Sequence, residues 1–165
     1  MIKLVSGSST LLALAISSAL AFSSVANAAD EHNVSPGLTT MNAPLGLHGV
    51  DPVSAIELGN AFEGSAKFAA THDGVAYYFK SKDSLDKFNA SPKKFVPQNG
   101  GFCTYGVAVG KKFDGDPNFA SVVDGKLYVF LNEDIYKLYL KDKSGTIAKA
   151  NKHWKKIRTV SATSL

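Results

Sequence analysis

Part of this chain is written twice. Slid against itself by 51 residues, 59–88 lies over 110–139 without a gap, and ten of the 30 positions are identical. They are Gly59/Gly110, Phe62/Phe113, Gly64/Gly115, Phe68/Phe119, Ala69/Ala120, Asp73/Asp124, Gly74/Gly125, Tyr77/Tyr128, Phe79/Phe130 and Asp83/Asp134. Self-similarity at a fixed offset marks a repeated supersecondary unit. The fold must therefore house two similar pieces. Residues that match serve the scaffold, and residues that differ are free for other work.

The unit itself can be read from its punctuation. Asp51-Pro52 starts a short helix, since Asp is a favoured N-cap and Pro suits the first helical position. Gly59 closes it. Residues 67–72 and 75–79 form a hairpin about the type I′ turn signal Asp73-Gly74. Ser81 caps a helix through about residue 90, with Leu85 and Phe88 facing inward, and Pro92 ends it. The second copy predicts a helix over 103–109, a hairpin over 120–123 and 126–131 about Asp124-Gly125, and a helix capped by Asn132, with Ile135, Leu138 and Tyr139 on one face. A last segment near 147–154 packs across the pair. The expected fold is α+β: two pseudo-repeated helix–β-hairpin–helix units whose hairpins join into one small antiparallel sheet covered by helices. Tyr77, Phe79, Tyr128 and Phe130 are its expected core.

The first 28 residues have the form of a secretory signal peptide. Lys3 supplies the positive end, 11–25 is apolar and Ser-containing, and Ala26-Asn27-Ala28 is an A-x-A cleavage site. Removing residues 1–28 from 165 leaves 137, enough for one domain with a genuine core. A periplasmic or secreted location follows. The expected layout is a flexible leader over 29–44, a domain over 45–157 with repeats at about 48–95 and 99–142, and a tail over 158–165. The net charge is +4 for the whole chain, modest for a nucleic-acid binder. The basic residues Lys149, Lys152, Lys155, Lys156 and Arg158 lack interleaved stacking aromatics and read as a solvated face. The mature chain shows no membrane span and is expected to be soluble.

The single cysteine, Cys103, excludes an internal disulfide. In an oxidising compartment such a thiol is either buried or used. Extending the offset backwards puts Pro52 over Cys103 and His48 over Asn99. Cys103 thus falls at a helix start, where unpaired N–H groups favour a thiolate. His48 lies in the matching loop of the other unit. A Cys and a His meeting there would suit Cu(I), Cu(II) or Zn, or an activated thiol. Asp51 reads as an N-cap that could support such a site, and His72, opposite Val123, as a strand-end residue that could join it. His153 reads as structural. His32, in the leader, could form an amine–His chelate for Cu(II) if cleavage fell after Ala29. No C-x-x-C, H-x-x-x-H, G-x-S-x-G or phosphate-loop pattern is present.

The strings H-G-V-D-P-V (48–53), T-H-D-G-V-A-Y-Y-F (71–79) and F-N-A-S-P-K-K-F (88–95) resemble YHS-domain proteins. The run N-G-G-F-C-T-Y-G-V-A-V-G-K-K-F-D-G-D-P (99–117) is similar to an exported bacterial subgroup, some of whose members carry selenocysteine at the Cys103 position. The resemblance covers about 45–154. It implies metal binding, often of copper, and association with metal-transport proteins. The usual cysteines of the family pattern are replaced here by Ser54, Lys80 and Ser84, so that thiolate site is absent.

Three expectations follow. The first is a periplasmic copper-binding module, zinc being second, using Cys103 and His48 with His72 or Asp51, and handing metal to a transport partner. The second is a redox or peroxide-reactive protein in which Cys103 is a low-pKa thiol served by a partner thiol. The third is an interaction module without a site. A binding protein is favoured over an enzyme.

Overall fold

The computed structural model describes residues 29–165. The signal-peptide reading falls on 1–28 and lies outside the described residues. Asp51 caps α1 (Pro52–Leu58), accepting from the Val53 and Ser54 amides at 2.9 and 3.2 Å. The helix stops at Gly59, whose φ of 69° is left-handed backbone that glycine takes without strain. The chain then forms β1 (Ser65–His72) and β2 (Val75–Phe79) about a turn in which Asp73 and Gly74 both have positive φ, as a type I′ turn requires. Ser81 caps α2 (Lys82–Ala90), accepting from Ser84 N.

Pro92 does more than end that helix. It opens a further short helix, α3 (Pro92–Phe95), which turns the buried Phe95 into the core. After α4 (Thr104–Ala108) come β3 (Asp116–Val123), β4 (Lys126–Phe130), α5 (Glu133–Lys141), capped by Asn132, and α6 (Lys143–Ile157).

The protein is α+β, with two two-stranded antiparallel sheets, β1–β2 and β3–β4. The expectation of one sheet is corrected. The edge of β2 that would receive the second hairpin is already in use. Gly46 N donates to Ala76 O at 2.9 Å and Ala76 N to Pro44 O at 2.8 Å, so residues 44–46 pair beside β2. The hairpins meet through side chains instead. Leu127 and Val129 of β4 join Val75, Tyr77, Phe79 and Phe88 in one apolar cluster. The alternate residues Tyr128 and Phe130 pack with Cys103 and Tyr139 in another. The period of two along a strand thus makes β4 the wall between two cores. All four expected core aromatics are buried. Leu138 is not: it lies 39% exposed, and Tyr139 fills the interior alone beside half-buried Ile135. A third cluster joins Phe102, Val107 and Ala108 to Ala150, with Trp154 against it, and seats α6 across α4.

The segment expected to be a flexible leader is tied down. Glu31 N donates to Arg158 O and Asn33 N to Gly100 O, both at 2.8 Å, and Val34 bridges Gly46. Lys112, whose side chain is fully buried, donates to Glu31 Oε2 at 2.7 Å, Arg158 O at 3.1 Å and Val160 O at 2.6 Å. The ends of the described chain are therefore clasped around one ammonium. The basic residues of α6 are exposed. Among the described residues, no helix is long and apolar enough to cross a membrane.

Candidate functional site

Cys103 is the N-cap of α4, and its Sγ accepts from Gly106 N at 3.4 Å. The position was expected, but its consequence was not. Cys103 is 1% exposed and lines a cavity of about 130 Å³ with Tyr105, Gly106, Val109, Phe113, Leu131 and Ile135. Burial raises the thiol pKa, outweighing the hydrogen bonds from Gly106, Leu131 and Tyr105 that lower it, and the Asp114 charge adds to the rise. A five-residue helix carries little dipole to set against desolvation. Burial thus pushes the thiol above its ordinary range, in apolar surroundings.

His48 does not line that cavity. It sits in left-handed backbone with φ 50° and places Nε2 2.9 Å from Asp114 Oδ1, which also accepts from Asn33 Nδ2 at 2.7 Å. Burial would raise the Asp114 pKa, but the bonds from Asn33 and His48 hold it below the usual value. His48 is thus the donor that fastens the 47–49 turn to the second half of the chain. His153 places Nδ1 3.3 Å from Val107 O, a structural contact between α6 and α4.

Asp51 is fully buried and committed to the backbone. Beyond its two cap bonds it accepts from Ser54 Oγ at 2.8 Å and Lys80 N at 3.1 Å. The three positions where the YHS pattern has cysteines, Ser54, Lys80 and Ser84, line a single cavity of about 150 Å³. Their chemistry is changed: the serines hydrogen-bond to Asp51 and Ser81, and Lys80 Nζ lies 4.3 Å above the Phe62 ring.

His72 is placed differently. It stands at the end of β1, edge-on to Phe88 with ring centroids 6.3 Å apart. With His32, Asp30, Asp73, Asn99 and Trp154 it lines a cavity of about 220 Å³. Its Nε2 is excluded from solvent and has no hydrogen-bond partner, and the same is true of Asn99 Oδ1 in the same cavity. Buried polar atoms are ordinarily satisfied, so two orphaned atoms on residues that line one cavity stand out. The Nε2 atom lies 3.4 Å from Asp73 Oδ2 without bonding to it. Two donors about 2.0–2.1 Å from a tetrahedral ion stand about 3.3 Å apart, so this pair already has ligand spacing.

His32 is carried to the cavity by the clasped segment. Burial lowers its pKa, the Asp73 and Asp30 carboxylates oppose that, and His72 and Lys112 reinforce it. The net effect favours the neutral imidazole that a metal requires. The amine–His chelate suggested for this residue does not fit the fold, because it would need the Glu31 amide that Arg158 O holds at 2.8 Å. Among the described residues, no three His, Cys, Asp or Glu groups are gathered closely enough to hold a metal. His72 and Asp73 are set, and His32 would have to close on them.

Of the residues singled out from sequence, His72 alone lines this cavity together with His32; Cys103, His48 and Asp51 are elsewhere, each occupied. Asp30, Asp73 and Asn99 were missed as site residues. Asp73 stands beside His72 in the string T-H-D-G, but its role in the turn concealed a second one. Compared with family models, with curated proteins and with solved structures, the chain matches none.

Proposed function

We propose that this chain is an exported transition-metal-binding module, copper favoured over zinc, which takes its ion at the His32–His72 cavity with Asp73 as carboxylate donor. The observation that carries this reading is the unpartnered His72 Nε2 held 3.4 Å from Asp73 Oδ2. Two imidazoles with a carboxylate suit Cu(II) or Zn(II), and they are poor ligands for Cu(I), which prefers sulfur. The resemblance to YHS-domain proteins agrees with a metal role, and the convergence of Ser54, Lys80 and Ser84 on one cavity is what that resemblance would require. With no thiol there, the metal is assigned to histidines in the other cavity.

We also read the chain as two copies of one unit. Supporting this, β1 and β3, β2 and β4, and α2 and α5 begin and end 51 residues apart. Both hairpins shift register at matching places, Ser65/Ala69 and Asp116/Ala120. Left-handed backbone recurs at His48/Asn99, Gly59/Gly110 and Asp73/Asp124.

The test is Cu(II) binding by competition with a chelator of known affinity. The expected result is one ion per chain, with affinity falling at least about tenfold in His32→Ala and in His72→Ala, since even outer-sphere partners of a metal are worth that much. Cys103→Ser should bind as the parent does. Loss of binding in Cys103→Ser with none in His72→Ala would overturn the assignment. A thiol-redox function has no supporting observation, given the burial of Cys103.

A further inference from the structure

We infer that the cavity beside Cys103 is a binding site for one small, uncharged apolar molecule, about the size of a single ring. This goes beyond the metal-binding reading and does not depend on it, since no residue lines both this cavity and that of His72. The cavity, of about 130 Å³, has a floor and a rim. Cys103 and Gly106 are buried and form the floor, whereas Val109, Phe113 and Leu131 are exposed at the edge. Among the described residues, no charged or amide side chain lines it. Water needs two to four polar partners to settle in such a space, so an apolar occupant is favoured. An apolar cavity of roughly 150 Å³ takes benzene, which sets the scale of the ligand.

The 51-residue offset supplies a comparison within the chain. It lays this cavity over the one of about 150 Å³ beside Ser54: Leu58 matches Val109, Lys80 matches Leu131, and Ser84 matches Ile135. The Ser54 cavity carries charge at its edge. Lys80 Nζ lies 4.3 Å above the Phe62 ring, and Lys87 bridges Glu57 and Asp83 at 2.9 and 3.0 Å. At the Cys103 cavity Phe113 stands in the place of Phe62, but Leu131 replaces the lysine that covers the ring and Leu138 the lysine that forms the bridge. Both leucines are exposed. The floor differs as well. Gly106 occupies the position of Ala55, and a Cβ on it would lie 2.8 Å from Phe113 Cδ2. The missing methyl is what lets the Phe113 ring lie close over the floor as a wall of the cavity. Charge is thus removed and space kept at one place in the fold. Apolar side chains held in water around an opening cost stability, and a ligand that covers them returns it.

The test titrates the protein with benzene and follows the methyl resonances of Val109, Leu131 and Ile135. The expected result is a saturable shift at these methyls, with those of Leu58 unmoved. Leu131→Lys, which restores the residue of the Ser54 cavity at an exposed position, should weaken binding at least about tenfold. Gly106→Ala favours the helix and crowds Phe113, so it should weaken binding in a chain whose fold is not in question. Leu58→Ala should bind as the parent does. Three results would each overturn the proposal: no saturable shift up to the solubility of benzene, equal shifts at the exposed Leu38 and Leu140 methyls, or an affinity unchanged in both Leu131→Lys and Gly106→Ala.

Discussion

Lys112→Met isolates the clasp that joins the two ends of the domain. The substitution keeps the length of the stem and removes the ammonium. Three acceptors lose their donor, and they are not equivalent. Arg158 O retains the Glu31 amide at 2.8 Å. Glu31 retains the Ala162 amide at 2.9 Å and is one-third exposed, so water replaces part of what it loses. Val160 O loses a bond of 2.6 Å. An unpaired carbonyl costs about 1–3 kcal/mol when buried, toward the lower end here because Val160 is half-buried, and a charged hydrogen bond about 1.5–3 kcal/mol, again at the lower end because Glu31 is partly solvated. The contacts of the ammonium with the Phe102 and Trp154 rings, 5.2 and 5.3 Å from their centroids, are lost as well. Relief of the buried charge offsets some of this. The net expectation is a loss of about 3 kcal/mol, or a fall in Tm of about 10 °C for a domain of this size. Thermal unfolding followed by circular dichroism gives the number. Amide exchange locates the loss, which should centre on Glu31 and Asn33. A Tm within about 2 °C of the parent, with those amides equally protected, would refute the reasoning.

Cys103 should react with iodoacetamide far more slowly at pH 8 than a free thiol of pKa about 8.5, and denaturant should abolish the protection; fast labelling of the folded protein would contradict its burial. Gly115→Ala should cost about 3 kcal/mol or more in urea unfolding, because its Cβ would lie 2.4 Å from Gly101 O and 2.5 Å from Val129 Cγ2, a clash that backbone must absorb. The depressed pKa of Asp114 has a sign that can be checked. Its contribution is full above the ordinary value of 3.8 and is lost as pH falls through the lower folded value. Asp114→Asn should therefore destabilise at pH 6 and cost progressively less on acidification toward pH 2; an equal cost at both ends would refute the pairing with His48.

Local chemistry was legible in the sequence where a residue acts on its near neighbours. Asp51, Ser81 and Asn132 cap the helices they were expected to cap, and both Asp-Gly pairs turn their hairpins. What failed depended on distant parts of the chain. Nothing near Ala76 indicates that residues 44–46 take the edge of β2. Nothing near Cys103 shows that Phe113, Leu131 and Ile135 pack around it, or that burial raises its pKa. His32 was misplaced for the same reason, because its position is set by Lys112 and Arg158, 80 and 126 residues further on. Composition without periodicity suggested disorder at 29–44, and an ion pair no window could contain supplies the order.

The clasp also fixes an order of events. Glu31 waits for Arg158 and Ala162, and the contact with Ala162 spans 131 residues. Each hairpin and its capped helices close loops of a few residues, whereas this contact closes a loop of nearly the whole domain, and loop-closure entropy places it late. Until the final turn of α6 and the residues after it are in place, the segment bearing His32 has nothing to lie against, so His32 is the last of the cavity's histidines to be secured.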